Sequence, residues 1–480
     1  MPKLSDLILK NISTKQTLVK NSFWLVSGKF LAGLFRALIV IVSARLLGAS
    51  AYGSFSLAMS FVLIFSFLPE FGLSTILTRE LAKKKNDYET FSLISTITLG
   101  FSFISYLIIF LADRFFIKDP VALSIVPLLG LMMIVDVLRE YGYGVFQAQE
   151  RMEIQGGLHL LTNFLIFGLG FIALRQIRSP FSLSIAYFIS VSIGFGLGLF
   201  FLKAFLKNYR PRFNLEKTKQ IFMSALPIAL SNFLLLLLIF IDSIILGWFH
   251  SPRLVGLYTS SVKISQFLIL FPQSIALAVF PMMSKSIHEK EKLKETTELG
   301  LKLSIILMLP LTFGIFILAS KIILLIFGPA YFASIPALRI IIFSLLGTFP
   351  FLLLSNLLIA LDKRKELLIF DLILVVINVG LNLLLIPKFD LLAASYNTTL
   401  VNLLGFVFAH AVSQRYVNFD FWPFLPKPLL ATAGMSLFLI SLKSFSLLIL
   451  LPGAVIVYLL GLYLVKEEIT VKIIQGLKRQ

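Results

Sequence analysis

Two cations in the first long apolar segment are the residues best placed to do chemistry. Lys29 and Arg36 lie seven residues apart within 21–44. In an α-helix this spacing puts both side chains on one face, roughly 10 Å apart along the axis. Ser22, seven residues before Lys29, extends that face. Because a cation inside a membrane is costly unless it meets water or an anion, we expect a water-filled cavity that binds an anionic substrate. The alternative is that both side chains reach the membrane surface or pair with acids.

Two further cations inside apolar segments are weaker candidates for binding the same substrate. Lys263 lies about two helical turns from the end of its segment, and Arg339 lies near the end of another. For Lys263, lining of a cavity and extension toward the membrane surface are equally compatible with the pattern. For Arg339 the pattern favours an anchor at the membrane surface.

Three acids inside apolar segments are candidates for coupling transport to a proton or another cation. Asp242 is the strongest of these, although a structural ion pair with Lys263 explains its position equally well. Glu70 follows a proline, and Asp136 lies one helical turn before Arg139. For Glu70 and Asp136 we favour a structural role, which for Asp136 is an ion pair within its own helix.

The composition excludes a soluble protein and several kinds of site. Of 480 residues, 58% are hydrophobic and the mean hydropathy is +0.94, which is more apolar surface than a globular core can bury. No cysteine is present and only four histidines, so we expect no metal centre. The glycines of 194–198 lie inside an apolar segment without a preceding strand, and no P-loop motif occurs. We therefore expect no cofactor and no enzymatic activity.

Long apolar runs predict an all-α integral membrane protein. A membrane-spanning helix needs about 20 mainly apolar residues, and fourteen segments meet or approach this length. They lie near 21–44, 53–77, 91–112, 121–138, 156–174, 181–202, 220–247, 257–283, 303–320, 336–360, 367–386, 392–413, 428–442 and 447–465.

The distribution of positive charge predicts the orientation in the membrane. Alternate connecting segments, beginning with the N-terminus and ending with the C-terminus, hold 30 of the 43 Lys and Arg, and the other seven hold 9. Because cytoplasmic loops carry the excess of Lys and Arg, both termini are expected to be cytoplasmic. The formal net charge of +19 is then explained by anionic membrane lipids as partners, without nucleic acid.

An internal repeat predicts the division of the chain. Two segments match without gaps: 53–81 and 256–284. The match places Gly53 over Gly256 and Pro69 over Pro272. With six spans in each copy, both copies begin on the same side of the membrane, so the repeats are parallel. The expected parts are a six-helix lobe over 1–210, a second six-helix lobe over 211–415, and two additional helices with a tail over 416–480.

The segments around these glycines and prolines resemble a known family. The passages 43–84, 241–285 and 377–400 are similar to the O-antigen-type flippases of lipid-linked oligosaccharides, which belong to the multidrug/oligosaccharidyl-lipid/polysaccharide exporter superfamily. The last passage departs from the family at Asp390, which stands in a stretch where the family usually has glycines. This departure concerns the shape of one loop.

The resemblance implies two six-helix lobes around a central cavity that opens alternately to the two sides. It also implies a bacterial cytoplasmic membrane location, an undecaprenyl-diphosphate-linked oligosaccharide as substrate, and the polysaccharide polymerase machinery as a partner. Lys29 and Arg36 would then bind the diphosphate. Two alternatives remain open at this point. A cation-coupled multidrug exporter of the same superfamily would need an acidic cavity, and a membrane-embedded glycan polymerase or ligase would need a large external loop.

Overall fold

The computed structural model describes residues 14–84 and 86–467. About 88% of the described residues are helical and none of them lies in a strand, so the predicted all-α fold is confirmed. The α-helices are α1 (Thr14–Ile64), α2 (Phe67–Glu70), α3 (Leu73–Lys83), α4 (Tyr88–Phe116), α5 (Pro120–Ala148), α6 (Met152–Gln176), α7 (Pro180–Phe201), α8 (Lys203–Lys207), α9 (Leu215–Phe249), α10 (Pro252–Leu268), α11 (Leu270–Lys285), α12 (Lys290–Ile326), α13 (Ile335–Ile341), α14 (Leu345–Ala360), α15 (Arg364–Ser413), α16 (Pro426–Ser441) and α17 (Leu447–Leu464). Three 3₁₀ helices lie at Pro329–Ser334, Ile342–Ser344 and Trp422–Phe424.

Twelve stretches of these helices are long and apolar enough to cross a membrane, which makes this a multi-pass membrane protein. Two of the stretches, Phe23–Lys83 and Arg364–Ser413, have 61 and 50 residues. Each contains a residue with non-helical dihedral angles, Gly48 (φ 74°) and Asp390 (φ 46°). Both stretches are long enough for two crossings of about 20 residues each. The count of fourteen crossings stays a prediction.

Helix α15 is interrupted at Asp390, whose dihedral angles are φ 46° and ψ −133°. This conformation lies outside the left-handed helical region and is strained for a residue with a side chain. The Asp390 carboxylate also accepts a hydrogen bond from the backbone N–H of Leu392, at 3.3 Å. A local hydrogen bond from the following residues to the Asp390 side chain therefore accompanies the break in α15.

The second predicted span is interrupted partway along its length. Proline has no backbone N–H and cannot donate a hydrogen bond to the carbonyl four residues earlier. The carbonyl of Phe65 therefore does not receive the helical hydrogen bond that residue 69 would otherwise donate. The hydroxyl of Ser105, on α4, donates to this carbonyl at 2.8 Å. A second break follows at Phe71 and Gly72, which both have positive φ.

The second copy of the repeat is interrupted at the equivalent position. Helix α10 ends at Leu268 and α11 begins at Leu270, so the break is at Ile269, three residues before Pro272. In the ungapped alignment Ile269 corresponds to Ser66, where the first copy is broken. The shared break agrees with the alignment of the two prolines, although their spatial equivalence stays a prediction.

The chain divides into two compact units, Met1–Gly256 and Leu257–Gln480. Each unit has its own apolar core, which includes Leu77 and Phe146 in the first unit and Phe349 in the second. Within the second unit α16 and α17 pack together against α12. The division into 1–210, 211–415 and 416–480 stays a prediction.

Two aligned glycines meet at a close helix crossing inside the first unit. A Cβ on Gly53 would lie 1.8 Å from the carbonyl oxygen of Pro252, and a Cβ on Gly256 would lie 2.0 Å from the carbonyl oxygen of Ala49. Each glycine therefore meets the residue four positions before the other. Only glycine allows two backbones to approach this closely. The contact is reciprocal, because each glycine lies against the backbone of the other's helix.

Candidate functional site

Helices α1 and α6 run side by side in the same direction and position the first predicted cation pair. The approach is closest at Gly28 and Gly156, where a Cβ on Gly156 would lie 2.6 Å from the backbone oxygen of Trp24. Nearer the start of both helices, the buried Lys20 ammonium forms an ion pair with the Glu153 carboxylate at 2.9 Å. Because the backbones are in contact, side chains farther along α1 lie against α6.

Arg36 is held by α6 through one nitrogen only. Its Nε donates to the Oδ1 of Asn163 at 3.3 Å. The amide of Asn163 is itself oriented, because its Nδ2 donates to the carbonyl of His159 at 2.8 Å. Among the described residues, no further hydrogen bond or ion pair involves the exposed Arg36 side chain. The two Nη groups are therefore available as a planar fork, the geometry that binds carboxylate or phosphate oxygens in pairs.

Lys29 lies two turns before Arg36 on the same uninterrupted stretch of α1. Its side chain is exposed, and within the described ranges it takes part in no hydrogen bond or ion pair. Neither cation is therefore consumed by an acid. The side chain of Ser22 lies outside the described residues, so its place on this face is untested. Binding of an anion by Lys29 and Arg36 stays a prediction.

A buried arginine on α5 gathers a polar cluster beside this face. The Arg139 guanidinium contacts the carboxylates of Asp136 at 2.7 Å and Glu140 at 2.8 Å. It also donates to the hydroxyls of Tyr143 and Thr162. Arg139 is only 4% exposed, and removal of its partners would leave a buried charge without compensation. The structure thus contains the predicted intrahelical pair of Asp136 and Arg139.

Glu140 links this cluster to α6. Its carboxylate lies 3.6 Å from Nδ1 of His159, whose carbonyl orients Asn163. Helix α7 packs against the cluster at Gly194, which faces Thr162. A Cβ on Gly194 would lie 2.1 Å from the Thr162 hydroxyl. Gly194 thus allows close helix contact, whereas the Cβ position of Gly196 faces open space.

Sequence reasoning did not select Glu140. The signal was present, because Asp136, Arg139, Glu140 and Tyr143 follow the i, i+3, i+4, i+7 pattern of one helix face. We call the group formed by Arg36, the α5 residues 136, 139 and 140, and the α6 residues 159 and 163 the polar cluster. Its two carboxylates are engaged by Arg139, whereas the Nη groups of Arg36 are not engaged within the described residues. The polar cluster can therefore bind an anionic partner more readily than a cationic one.

The other predicted residues lie outside the polar cluster. In the second unit Lys263 donates to the side-chain oxygen of Gln266 at 3.0 Å, and the exposed Arg339 lies over the Phe316 ring at 5.8 Å. In the first unit Asp242 is buried, and Glu70 is exposed at the interruption of the second span. Their roles in binding or ion coupling stay predictions.

A buried group of amides in the second unit was also missed. Asn397 donates to the carbonyl of Asn378 at 2.8 Å, and Asn382 donates to the Asn378 side-chain oxygen at 3.3 Å. The sequence search considered ionisable residues and therefore passed over neutral amides. Across 14–84 and 86–467, no group of three or more His, Asp or Glu side chains is placed to hold a metal ion.

The chain matches two known protein families. Residues 18–287, more than half of the chain, match the family described as "Polysaccharide biosynthesis protein". Residues 227–384 match a second family, described as "MatE". The first match covers both repeat segments, 53–81 and 256–284, whereas the second covers only 256–284.

Two curated relatives extend over most of the chain. The capsular polysaccharide biosynthesis protein CapF of Staphylococcus aureus is 24% identical over 81% of this chain and 98% of its own length. The probable low-salt glycan biosynthesis flippase Agl15 of Haloferax volcanii is 23% identical over 77% of this chain and 79% of its own length. These names describe proteins of glycan biosynthesis, one of them a transporter.

Solved structures show the same fold at low sequence identity. The lipid II flippase MurJ in an inward closed conformation superposes with a TM-score of 0.76 at 16% identity, over 94% of this chain and all of that chain. An inward-facing multidrug resistance transporter of the MATE family superposes with a TM-score of 0.66 at 17% identity, over 80% of this chain and 95% of that chain. At these identities the likeness concerns the fold alone.

Proposed function

Because the chain belongs to the polysaccharide biosynthesis protein family, we propose that it is a flippase for a lipid-linked oligosaccharide. The substrate is a polyprenyl chain, of the undecaprenyl type, joined through a diphosphate to the glycan. The protein carries this molecule from the cytoplasmic to the outer leaflet for cell-surface polysaccharide synthesis and is not an enzyme. The names of CapF and Agl15 support glycan biosynthesis as the setting.

The observation that carries the proposal is the orientation of Arg36. Asn163 engages its Nε, and the two Nη groups make no hydrogen bond within the described residues. Such a planar fork suits a partner that binds through paired oxygens. A diphosphate offers such oxygens and carries a permanent negative charge. Lys29, about 10 Å away along α1, is a point charge that draws the same headgroup in. Ser22, Lys263 and Arg339 are secondary candidates for contacts with the glycan or the phosphates.

The multidrug exporter is the second candidate, since structures of such transporters share the fold. An exporter of cationic drugs needs carboxylates that are open to the drug. In the polar cluster Asp136 and Glu140 are instead both engaged by Arg139. This pairing favours an anionic substrate. A polymerase or ligase is disfavoured because no connecting segment between the described helices is long enough to form a catalytic domain.

Transport in this scheme is powered by an ion gradient or by consumption of the substrate at the outer surface. Asp242, Glu70 and Asp136 are the candidates for ion coupling. The two six-helix lobes expose a central cavity to each side in turn, and the polysaccharide polymerase machinery uses the delivered substrate. No nucleotide and no nucleic acid takes part.

Orientation in the bacterial cytoplasmic membrane gives a direct prediction. Both termini are expected in the cytoplasm, because 30 Lys and Arg fall in the predicted cytoplasmic segments and 9 in the others. Alkaline phosphatase, which is active only outside the cytoplasm, should be inactive when fused after Gln480. A fusion after Arg178, between α6 and α7, serves as the active control. Strong activity after Gln480 would contradict an even number of crossings.

Depletion of the protein tests the proposed activity itself. Cells that lose it should accumulate the polyprenyl-diphosphate-linked oligosaccharide in the cytoplasmic leaflet, because synthesis continues while translocation stops. Lipid extraction followed by mass spectrometry measures this pool, and cleavage by an enzyme added outside reports the leaflet. Re-expression of the intact chain should clear the pool. An unchanged pool, together with increased sensitivity to cationic dyes, would instead support the multidrug exporter.

A further inference from the structure

The first unit contains a cavity that is separate from the polar cluster. Its volume is about 280 Å³, and its lining comes from α3, α4, α9 and the segment before α9. Aromatic and aliphatic side chains dominate the lining, among them Phe101, Ile104, Phe213 and Phe222. The Cβ position of Gly100, which also lines the cavity, faces open space. The cavity therefore has room for an apolar group and offers it few polar partners.

The rim of the cavity is cationic. The backbone N–H of Arg212 donates to the hydroxyl of Thr96, a lining residue, at 3.3 Å. The Arg212 guanidinium and the Lys217 ammonium both approach one carboxylate oxygen of Glu89, at 3.0 and 3.6 Å. One acid thus contacts two cations at the rim. The segment 210–219 carries four Lys and Arg and one acid, so the region keeps a positive surplus when Glu89 is counted. Lys217 precedes Thr218, another lining residue.

The segment before α9 has the composition of a membrane interface. Phe213 and Leu215 are 71% and 74% exposed, and they lie between the cations Arg212 and Lys217, together with Asn214 and Glu216. Exposed apolar side chains beside cations are typical of segments that lie at the headgroup boundary of a membrane. Thr96 lies eight residues into α4, roughly 12 Å from the start of that helix. The cavity is therefore within reach of a lipid whose headgroup remains at the interface.

We propose that this cavity holds an acyl chain of an anionic phospholipid whose phosphate is bound by Arg212 and Lys217. The apolar lining suits a hydrocarbon chain, and the surplus charge at the rim selects an anionic headgroup over a zwitterionic one. The volume lies just below the ~300–1,000 Å³ of typical small-ligand pockets, so it accommodates part of one chain. The site does not depend on the transported substrate and is independent of the proposed function.

Native mass spectrometry of the purified full chain in detergent tests the site. Phosphatidylglycerol is the anionic probe and phosphatidylcholine, with matched acyl chains, is the zwitterionic one. We expect one tightly retained phosphatidylglycerol and weaker retention of phosphatidylcholine. Gly100→Leu fills the cavity and should remove the retained lipid, whereas Gly168→Leu, on α6 and also facing open space, should not.

Charge variants test the rim separately. Arg212→Gln and Lys217→Gln should each weaken phosphatidylglycerol binding about fivefold, the effect of roughly 1 kcal/mol per cation near a membrane surface. Their binding of phosphatidylcholine should not change. Lys203→Gln and Lys207→Gln, in the same connecting region but away from the cavity lining, are matched controls. Equal retention of both lipids, unchanged binding in Gly100→Leu, or preferential retention of an added polyprenyl phosphate would overturn the proposal.

Discussion

Arg36→Ala is expected to reduce glycan export roughly 10- to 100-fold while the protein still inserts in the membrane. The substitution removes the Nη fork that the proposed function assigns to the substrate diphosphate. Hydrogen bonds to charged groups contribute about 1.5–3 kcal/mol each, which corresponds to this range. Because the Arg36 side chain is exposed and makes a single hydrogen bond within the described residues, its loss should have little effect on stability. Surface polysaccharide measured at matched protein levels gives the result.

Three further variants separate the roles of charge and geometry at this position. Arg36→Lys should recover only part of the export, since a point charge replaces a planar fork. Asn163→Ala removes the acceptor that orients Arg36 and should cause a smaller loss, as should Lys29→Ala. Arg175→Ala is a matched control, because this exposed arginine at the end of α6 lies over the Phe171 ring outside the polar cluster. Full export by a well-inserted Arg36→Ala protein would mean that the anion site is elsewhere.

Gly53→Ala and Gly256→Ala are each expected to lower the free energy of unfolding by about 1–3 kcal/mol, the usual cost of overpacking. Each added methyl group would lie about 2 Å or less from a backbone carbonyl oxygen. The neighbouring helix cannot yield as a flexible side chain would, so α1 and α10 must separate. The midpoint temperature of thermal unfolding measures this loss of stability. Size-exclusion chromatography of heated samples determines this midpoint.

The reciprocal contact also predicts the stability of the variant that carries both Gly53→Ala and Gly256→Ala. Once one methyl group has separated the helices, the second meets less obstruction, so the two losses should be less than additive. Gly380→Ala, on α15 with open space at its Cβ position, should leave the midpoint unchanged. Fully additive losses would show that the two glycines do not share one contact.

The sequence was sufficient for the features that depend on composition and helix periodicity. The apolar runs predicted helices throughout, and the seven-residue spacing placed Lys29 and Arg36 on one face of an unbroken stretch of α1. The alignment of Pro69 with Pro272 anticipated the shared interruptions. These features follow from rules that act within one helix.

The features that sequence reasoning missed depend on contacts between helices. The role of Asn163 in orienting Arg36 arises because α1 and α6 meet at Gly28 and Gly156. Periodicity shows which face of a helix is polar, but not which neighbour that face meets. The reciprocal contact of Gly53 with Gly256 was beyond prediction for the same reason, although the two residues had been aligned with each other.

The polar cluster has no surplus of charge before a substrate arrives. Arg36 and Arg139 carry two positive charges, and Asp136 and Glu140 carry two negative charges when His159 is neutral. A diphosphate would make this region of a low-dielectric membrane strongly negative. Lys29, which the proposed function assigns to the same headgroup, offsets part of this negative charge, and for the proposed function a proton or another cation accompanies the lipid to balance the rest. The rate of translocation then depends on the concentration of that cation.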